Sequence, residues 1–103
     1  MNNNSAVSGQ GPKEQNAPVV WEEATRRQFE QLIGKIPVFL REFARNKVSQ
    51  RAERIVKKSG RNTVGEKDLV DAFFAETPFG FHGPLKNDMT ELGIDYVKYG
   101  YPK

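Results

Sequence analysis

The sequence feature that most constrains the fold is the stretch Ile36–Arg45, which begins the longest predicted helix. Pro37 suits the first turn of a helix, because that position needs no backbone N–H donor and proline's fixed φ is already helical. The helical pattern continues to about Ser59, where Gly60 is expected to adopt the left-handed conformation that ends many helices. The sequence therefore predicts one long central helix from about Pro37 to Ser59.

Arg41 and Arg45 are the unusual residues of this predicted helix. A helical projection collects the apolar side chains in one stripe, which comprises Val38, Ala44, Val48, Ala52, Ile55 and Val56. Arg41 and Arg45 lie one turn apart and project into the stripe, so we expect both guanidinium groups to be partly buried. Buried guanidinium groups need carboxylate or carbonyl partners. The carboxylates expected to serve are acids of the first and third helices, such as Glu22, Glu66, Asp68 or Asp71. An anion-binding site made by the two arginines is the alternative.

A second basic set on this helix has a different meaning. It comprises Lys47, Arg51, Arg54 and Lys58, which share a neighbouring face. We expect this basic face to be solvated, as the polar faces of surface helices are. Residues 41–61 carry eight Lys or Arg and two Asp or Glu, whereas residues 62–103 carry four and seven. The basic middle either binds an anionic partner or is neutralised by the chain's own acidic last third.

Two shorter helices are predicted on either side of the central one. The first begins near Trp21, whose expected role is to anchor the start of the core, and it ends near Gly34. The third begins at a predicted capping box, in which the side chains of Thr63 and Glu66 each accept the backbone N–H of the other residue. It continues to about Glu76. The predicted fold class is therefore a small all-α domain of three helices with a long central helix.

The two ends of the chain differ from this helical domain, which we place at residues 19–77. Residues 1–18 are rich in Asn, Gln, Ser and Gly, contain little to bury, and are predicted to be disordered. Residues 78–103 are predicted to form an extended tail rich in Gly, Pro and aromatic residues. The aromatic side chains of this tail are Phe79, Phe81, Tyr96, Tyr99 and Tyr101. The tail either wraps over the three helices or docks on a partner.

The residue types present argue against autonomous catalysis. The chain has no cysteine and one histidine, and no glycine-rich loop opens a helix in the manner of a phosphate site. We predict no catalytic residue, no metal site and no cofactor. His82 is the lone candidate ligand for a tetrapyrrole, and a plain loop histidine is the alternative interpretation. The sequence also shows neither a transmembrane segment nor a signal peptide, so we expect an interaction module in the cytosol or stroma.

A resemblance to a known family is carried by three motifs, Trp21-Glu22-Glu23-Ala24, Ile36-Pro37-Val38-Phe39-Leu40-Arg41 and Ala44-Arg45, and by a short helix after Thr63-Val64. Together they resemble the protochlorophyllide-reductase (PCP-red) domain. This domain is the small C-terminal part of the B subunit of light-independent protochlorophyllide reductase, and it also occurs as stand-alone proteins. The resemblance covers residues 21–74. The signature positions that it implies, with a structural or docking role, are Trp21, Ile36, Pro37, Phe39, Arg41 and Arg45.

The PCP-red resemblance implies a non-catalytic accessory, assembly or protein-interaction module of chlorophyll biosynthesis or photosynthetic complexes. The implied partner is a pigment-synthesis enzyme or a photosystem subunit, contacted by the central helix and the tail. The implied location is cytoplasmic or stromal, with thylakoid association and peripheral membrane contact as further options. The cluster ligands and substrate-site residues of the parent enzyme lie outside this domain, so none is transferred to this chain.

A second resemblance supports an alternative function. The residues that carry it are Gly60-Arg61-Asn62-Thr63-Val64 and Asp68-Leu69, behind a long basic helix. They are similar to the second loop and third helix of archaeal-type histones, which implies binding to nucleic-acid phosphates through lysine and arginine. The corner between the first two predicted helices is shorter than a histone requires, so nucleic-acid binding is the second hypothesis. A tetrapyrrole carrier built on His82 and the tail aromatics is the third.

Overall fold

The computed structural model describes residues 18–103 of the 103-residue chain. The predicted disordered segment 1–18 therefore lies, except for Pro18, outside the described residues. Four α-helices occupy the described part: α1 Glu23–Gly34, α2 Arg41–Lys58, α3 Glu66–Glu76 and α4 His82–Glu91. The other elements are the strands β1 Val20–Trp21 and β2 Thr63–Val64 and the 3-10 turns Val38–Leu40, Phe79–Phe81 and Tyr96–Tyr99. The predicted all-α fold with a long central helix is confirmed.

The hydrophobic core lies between α2 and the helices that pack on it. α2 buries Val48, Ala52 and Val56, whose spacing of four residues places them on one face of the helix. The other buried apolar residues of the described chain are Phe29, Leu32 and Ile33 of α1, Leu69, Val70, Ala72, Phe73 and Phe74 of α3, and Val64, Leu85, Met89, Ile94 and Tyr96. Ala44 and Ile55 are partly buried against this core. The middle of the predicted apolar stripe therefore faces the core.

α2 and α3 run antiparallel and are tied together near both ends of α3. Near the start of α3, Arg61 donates two guanidinium N–H groups to the Asp68 carboxylate, at 2.8 and 3.1 Å. At the end of α3, Arg51 Nε donates to Glu76 Oε2 at 2.7 Å. Residue numbers therefore fall along α2 while they rise along α3. It follows that the start of α2 and the end of α3 point toward the same end of the molecule.

A pair of short strands joins the segments that precede α1 and α3, which the sequence analysis did not predict. The strands are parallel, with Trp21 opposite Val64. Trp21 was expected to begin the first helix, but it lies in β1, and α1 begins at Glu23. The Trp21 ring stacks on Phe29 at 5.0 Å between centroids. Its side chain is thus packed against the core from a strand rather than from a helix.

The central helix begins later than the sequence predicted. Pro37 has φ −51° and ψ 140°, which is not a helical conformation, and a 3-10 turn intervenes before α2 begins at Arg41. The residue before a proline is also disfavoured in the helical region, which separates α1 from α2. Val38 consequently leaves the predicted apolar stripe and is 73% exposed.

The connection from α2 to α3 agrees with the prediction at its first residue and differs at its last. Gly60 has φ 76° and ends α2 in the left-handed conformation, as predicted. The predicted capping box of Thr63 and Glu66 is wrong, because Thr63 pairs in β2 and α3 begins after Gly65. The Gly65 N–H donates instead to the Asp68 carboxylate at 2.9 Å. The helix start is therefore stabilised by an acidic side chain two residues further along than expected.

Residues 78–103 fold onto the helices rather than extending as a tail. α4 lies in this segment, so the described chain has four helices where the sequence analysis predicted three. Leu85 and Met89, four residues apart on α4, are buried in the core. The glycine and proline content of residues 78–103 predicted an extended tail instead of α4, but the helix accommodates Pro84 because proline is well tolerated in the first turn. Of the two alternatives for this segment, the structure shows wrapping.

Candidate interaction surface

Two corners of the described chain repeat one backbone arrangement. We call residues 36–41 the first corner and residues 77–82 the second corner. Each begins with the residue before a proline and continues with the proline, whose backbone is extended. A 3-10 turn and the first residue of the next helix follow. The proline torsions are nearly equal, with φ −51° and ψ 140° at Pro37 and φ −55° and ψ 145° at Pro78. The two corners therefore redirect the chain in the same way.

A side chain closes each corner onto the backbone. Arg41 Nε donates to the carbonyl oxygen of Ile36 at 2.8 Å, and His82 Nε2 lies 2.9 Å from the carbonyl oxygen of Thr77. In both corners the accepting carbonyl belongs to the residue before the proline, which is five positions before the residue whose side chain contacts it. The N–H that would reach this carbonyl in a continuous helix bonds instead to the proline carbonyl, at 2.9 Å in the first corner and 2.8 Å in the second. The side chain thus supplies the donor that the interrupted helix lacks.

Large apolar side chains project from both corners into solvent. Phe39 of the first corner is 84% exposed, and Phe79 of the second is 88% exposed. Almost no atom of the described chain covers these two rings. The other exposed apolar side chains of this region are Val38, Leu40, Phe43 and Phe81. Exposed apolar side chains that occur in a group mark an interaction surface, whereas single ones are normal.

The two corners lie toward the same end of the molecule. The first corner precedes α2 and the second follows α3, and these two helices run antiparallel. An ion pair between Lys35 and Glu91 ties the end of α1 to the end of α4, nine residues beyond the second corner. We call the region that comprises Val38, Phe39, Leu40, Phe43, Phe79 and Phe81 the apolar end. The opposite end of the α2–α3 pair carries the two strands and the Gly60 turn.

Two cations without a carboxylate partner in residues 18–103 border the apolar end. The Arg41 guanidinium donates to two backbone carbonyls, those of Ile36 and Gly34, each at 2.8 Å. The Lys47 ammonium lies 6.0 Å from the centroid of the Phe43 ring, next to one of the exposed phenylalanines. The apolar end is therefore bordered by positive charge that the described chain does not neutralise.

Arg45, the other arginine singled out in the sequence, is bound by carboxylates. Its Nη2 lies 2.9 Å from Glu30 on α1, and its Nη1 lies 2.7 Å from Glu42 on its own helix. The hydrogen bonds that Arg45 donates to the Glu30 carboxylate raise the pKa of its guanidinium. Arg41 and Arg45 are both partly buried, as expected. None of the acids named as candidates, Glu22, Glu66, Asp68 and Asp71, bonds to either arginine. Arg45 instead bonds to Glu30, another acid of the first helix, and Arg41 faces the backbone of its own corner.

The predicted basic face of α2 is neutralised in part by α3. Arg51 bonds to Glu76, and Arg61, just beyond α2, bonds to Asp68. Burial opposes ionisation of Asp68, but its bonds from Arg61 and from the Gly65 N–H outweigh this and lower its pKa. The remaining members of the face, Lys47, Arg54 and Lys58, are exposed. The acidic last third therefore neutralises two arginines of the basic middle.

Three of the five tail aromatics are used inside the fold. Tyr99 donates its hydroxyl to Glu66, and Tyr101 donates to Asp71 Oδ1 at 2.6 Å. Burial and these carboxylate acceptors raise the pKa of both tyrosines. Tyr96 is buried in the core. The tyrosines thus hold the C-terminal segment against α3.

The aromatic rings extend this contact to the end of α3. Tyr101 stacks on Phe74 with 4.1 Å between ring centroids and 11° between ring planes. Tyr96 lies 5.9 Å from the same ring. Of the five tail aromatics predicted to dock on a partner, only Phe79 and Phe81 are therefore exposed in the described chain.

His82 is an internal residue of the second corner. Its Nε2 is engaged with the Thr77 carbonyl, and its ring centroid lies 5.1 Å from that of Phe74 and 5.3 Å from that of Phe79. This arrangement does not favour the tetrapyrrole hypothesis, because Nε2 is already engaged by the Thr77 carbonyl oxygen. Across the part of the chain that the structure describes, no group of three or more His, Asp or Glu side chains is arranged to hold a metal ion.

The repeated corner has a sequence signal that the sequence analysis missed. The two segments are Ile36-Pro37-Val38-Phe39-Leu40-Arg41 and Thr77-Pro78-Phe79-Gly80-Phe81-His82. Both place a proline second, an apolar residue third and fifth, and a long side chain with an N–H donor sixth. The sequence predicted a tail for the second segment and a continuous helix for the first, whereas the structure gives both the same corner. Val38, Leu40 and Phe43 were consequently not predicted as contact residues.

Comparison with known proteins places the chain in a family. A family model described as "Protein of unknown function (DUF2621)" matches residues 7–101, and the chain therefore belongs to this family. No match was found among curated proteins or among solved structures. Within the described residues, no helix combines the length and the hydropathy needed to cross a bilayer.

Family membership corrects the resemblance to the PCP-red domain. That resemblance depended on short motifs within residues 21–74, whereas the family model matches a continuous region that includes α4 and the C-terminal segment. The chlorophyll, photosystem and thylakoid expectations depended on the resemblance, and the comparisons give them no support. The Ile36–Arg41 motif misled because it encodes a corner between two helices. Such a corner is a local feature, and this chain contains a second one at residues 77–82.

Proposed function

We propose that the chain is a non-catalytic interaction module that binds its partner through the apolar end. The observation that carries this proposal is the exposure of Phe39 and Phe79, 84% and 88%, on two corners at one end of the molecule. Leaving a large apolar side chain in water rather than burying it costs about 1.5–3 kcal/mol. A partner that covers the apolar end would recover this free energy for each side chain that it buries.

The rigidity of the corners supports the same proposal. Arg41 and His82 hold the two corners to their own backbones, and Arg45 joins α1 to the first turns of α2 through Glu30. A surface that is already held in one conformation loses less conformational entropy when it binds than a mobile loop does. The exposed phenylalanines thus lie on corners whose conformation is already fixed before a partner binds.

The buried and partly buried carboxylates at the start of α3, Asp68 and Glu66, support a structural rather than a catalytic use. Glu66 is partly buried, which opposes its ionisation, but hydrogen bonds from Tyr99 and Gln28 outweigh burial and lower its pKa. The pKa of Asp68 is lowered in the same sense. A general acid at neutral pH needs a raised carboxyl pKa instead. Both carboxylates serve to hold other parts of this chain in place.

The proposal is tested by partner capture with defined surface variants. The full chain is immobilised as wild type, as the double variant Phe39→Ser/Phe79→Ser, and as the control Val97→Ser. Val97 is also an exposed apolar residue on a 3-10 turn, but its neighbour Tyr99 bonds to Glu66 at the start of α3, away from the apolar end. Components of the native cells that bind to wild type and control are identified, purified and measured again by calorimetry. We expect the double variant to lose this binding, and retention of equal affinity would contradict the proposal.

Nucleic-acid binding is a second candidate, favoured by the exposed side chains of Arg54, Lys57 and Lys58 on α2. Against it, Arg51 and Arg61 are already bonded to carboxylates of α3. The candidate predicts a gel shift with duplex DNA that weakens steeply as salt rises, because phosphate contacts release counterions. The double variant Arg54→Ala/Lys58→Ala would weaken that shift. Absence of a shift at low ionic strength removes this candidate.

A further inference from the structure

We infer that the surface bound by the apolar end is an anionic lipid bilayer, on which the chain lies with Phe39 and Phe79 in the boundary between headgroups and acyl chains. This inference rests on the proposed function and names the partner. Aromatic and aliphatic side chains on one face with Lys or Arg beside them are the composition of segments that bind in the plane of a membrane interface.

The shape of the apolar end favours a bilayer over a protein pocket. Its phenylalanines stand on two separate corners that each redirect the chain, and their rings protrude into solvent instead of lining a groove. Phe39 is 84% exposed and Phe79 is 88% exposed. A protein interface would have to offer a separate matching pocket to each ring, because packing at such interfaces is as close as in protein interiors. A lipid interface is deformable and accepts both rings without preformed pockets.

The charges around the apolar end favour an anionic surface. Arg41 and Lys47 have no carboxylate partner in residues 18–103, whereas Glu42, the carboxylate nearest to both in the chain, is bonded to Arg45, which also bonds to Glu30. The groups beside Phe39 and Phe43 therefore leave a net positive charge at the first corner. Basic residues close to a membrane surface are attracted to anionic lipids, and the attraction decays within about one Debye length. Lys47 is placed for this because its ammonium lies over the Phe43 ring.

The same charges disfavour a second copy of the chain as the occupant. Two copies that met through their apolar ends would bring Arg41 and Lys47 of one copy close to the same residues of the other. Like charges brought together without counter-charges are repelled. Since Glu42 is occupied by Arg45, it is not available to compensate for this repulsion.

The inference is tested by vesicle co-sedimentation of the full chain. The vesicles consist of phosphatidylcholine alone or of an equal mixture of phosphatidylcholine and phosphatidylglycerol. We expect wild type and Val97→Ser to bind the mixed vesicles, and Phe39→Ser/Phe79→Ser to bind them about tenfold or more weakly. Lys47→Glu should weaken binding to the mixed vesicles and leave binding to phosphatidylcholine unchanged. Circular dichroism of each variant shows whether the helices are retained, as expected for substitutions at exposed positions.

A fluorescence measurement tests the orientation independently. The native Trp21 lies in β1, at the end of the molecule opposite the apolar end, so brominated lipids should leave its emission unquenched. In the variant Phe39→Trp, the added indole should be quenched when the mixed vesicles contain brominated acyl chains. Quenching of Trp21, or an unquenched Phe39→Trp variant on bound vesicles, would overturn the stated orientation.

Three outcomes overturn the lipid inference. They are absence of binding to mixed vesicles, equal binding to phosphatidylcholine alone, and equal binding by the double phenylalanine variant. A different result separates the two proposals. If the chain does not bind vesicles but binds a purified protein, or a second copy of itself in sedimentation equilibrium, and this binding requires Phe39 and Phe79, the proposed function stands and the lipid inference falls. If nothing binds in that manner, both fall.

Discussion

The side chain of His82 meets the carbonyl oxygen of Thr77 at 2.9 Å, and Arg41 meets the carbonyl oxygen of Ile36 at 2.8 Å in the same relationship. Each contact spans a proline and a 3-10 turn, and each belongs to a corner that carries an exposed phenylalanine. A donor at this position satisfies the last carbonyl group before the proline and holds the next helix at a fixed angle. The recurrence in one chain shows that the corner is a structural device with its own residue requirements.

Removal of the Arg41 side chain tests this device in the first corner. Arg41→Ala removes two hydrogen bonds to backbone carbonyls, and we expect the free energy of unfolding to fall by about 1–2 kcal/mol. Urea denaturation provides the measurement. Arg26→Ala, at an exposed position of α1, is the control and should change stability by less than about 0.5 kcal/mol. Equal effects of the two substitutions would show that Arg41 does not support the corner.

Arg45 and Arg54 should differ in their contribution to stability. Arg45 bonds to Glu30 and Glu42, whereas Arg54 is exposed and forms no ion pair in the described chain. We expect Arg45→Ala to lower the melting temperature and Arg54→Ala to leave it unchanged. The loss should be modest because Glu30 is 52% exposed and can be rehydrated. Added salt should reduce the difference between the variants by screening the ion pairs. Melting temperatures that shift equally would contradict the assignment of faces on α2.

Tyr101 should hold the C-terminal segment to α3. Tyr101→Phe removes the bond to Asp71 and should cost about 1 kcal/mol, while Tyr101→Ala also removes the stack on Phe74 and should cost about 2–3 kcal/mol. In an Asp71→Asn background the Phe substitution should have a smaller effect, since the two residues act as a pair. Lys103→Ala, in the same segment, is the matched control. A Tyr101→Ala variant as stable as that control would mean that the segment is not held by this contact.

Acid should destabilise the fold partly through Glu66 and Asp68. Burial opposes their ionisation, but bonds from Tyr99 and Gln28 to Glu66 and from Arg61 to Asp68 lower both pKa values. A lowered folded pKa means that the unfolded chain binds more protons in this range, so stability rises with pH. The contribution is complete above the ordinary pKa values of 4.5 and 3.8 and is lost as the pH falls through the lower folded values.

Urea midpoints measured from neutral to acidic pH test this dependence. Glu66→Gln should flatten the decline, because it removes a group that titrates differently in the two states. Asp88 provides a control of opposite sign, since burial raises its pKa and its contribution is lost as the pH rises above 3.8. Asp88→Asn should therefore steepen the acid decline. A Glu66→Gln variant with an unchanged slope would show that Glu66 is not coupled to folding.

Local sequence features predicted the elements whose ends are set by backbone chemistry. Gly60 ended α2 as expected, because a left-handed residue is needed there and glycine adopts it without strain. α3 ended at Glu76 as expected, and Pro78 follows it because proline cannot continue a helix. The same reasoning failed at Pro37, which is compatible both with the first turn of a helix and with the extended residue of a corner. The choice between them depended on Arg41 reaching back to Ile36, which the local pattern did not reveal.

The sequence by itself determined that this chain is helical, that α2 is its longest helix, and that Arg41 and Arg45 lie on its partly buried side. These properties depend on the 3.6-residue period and on residues close together in the chain. Only the tertiary structure decided that Arg45 bonds to Glu30, that Tyr101 bonds to Asp71, and that the two proline corners face one end. The physical reason is that such contacts depend on how helices distant in sequence pack together. Several carboxylates were chemically suitable partners for Arg45 and for Tyr101, and packing selected among them.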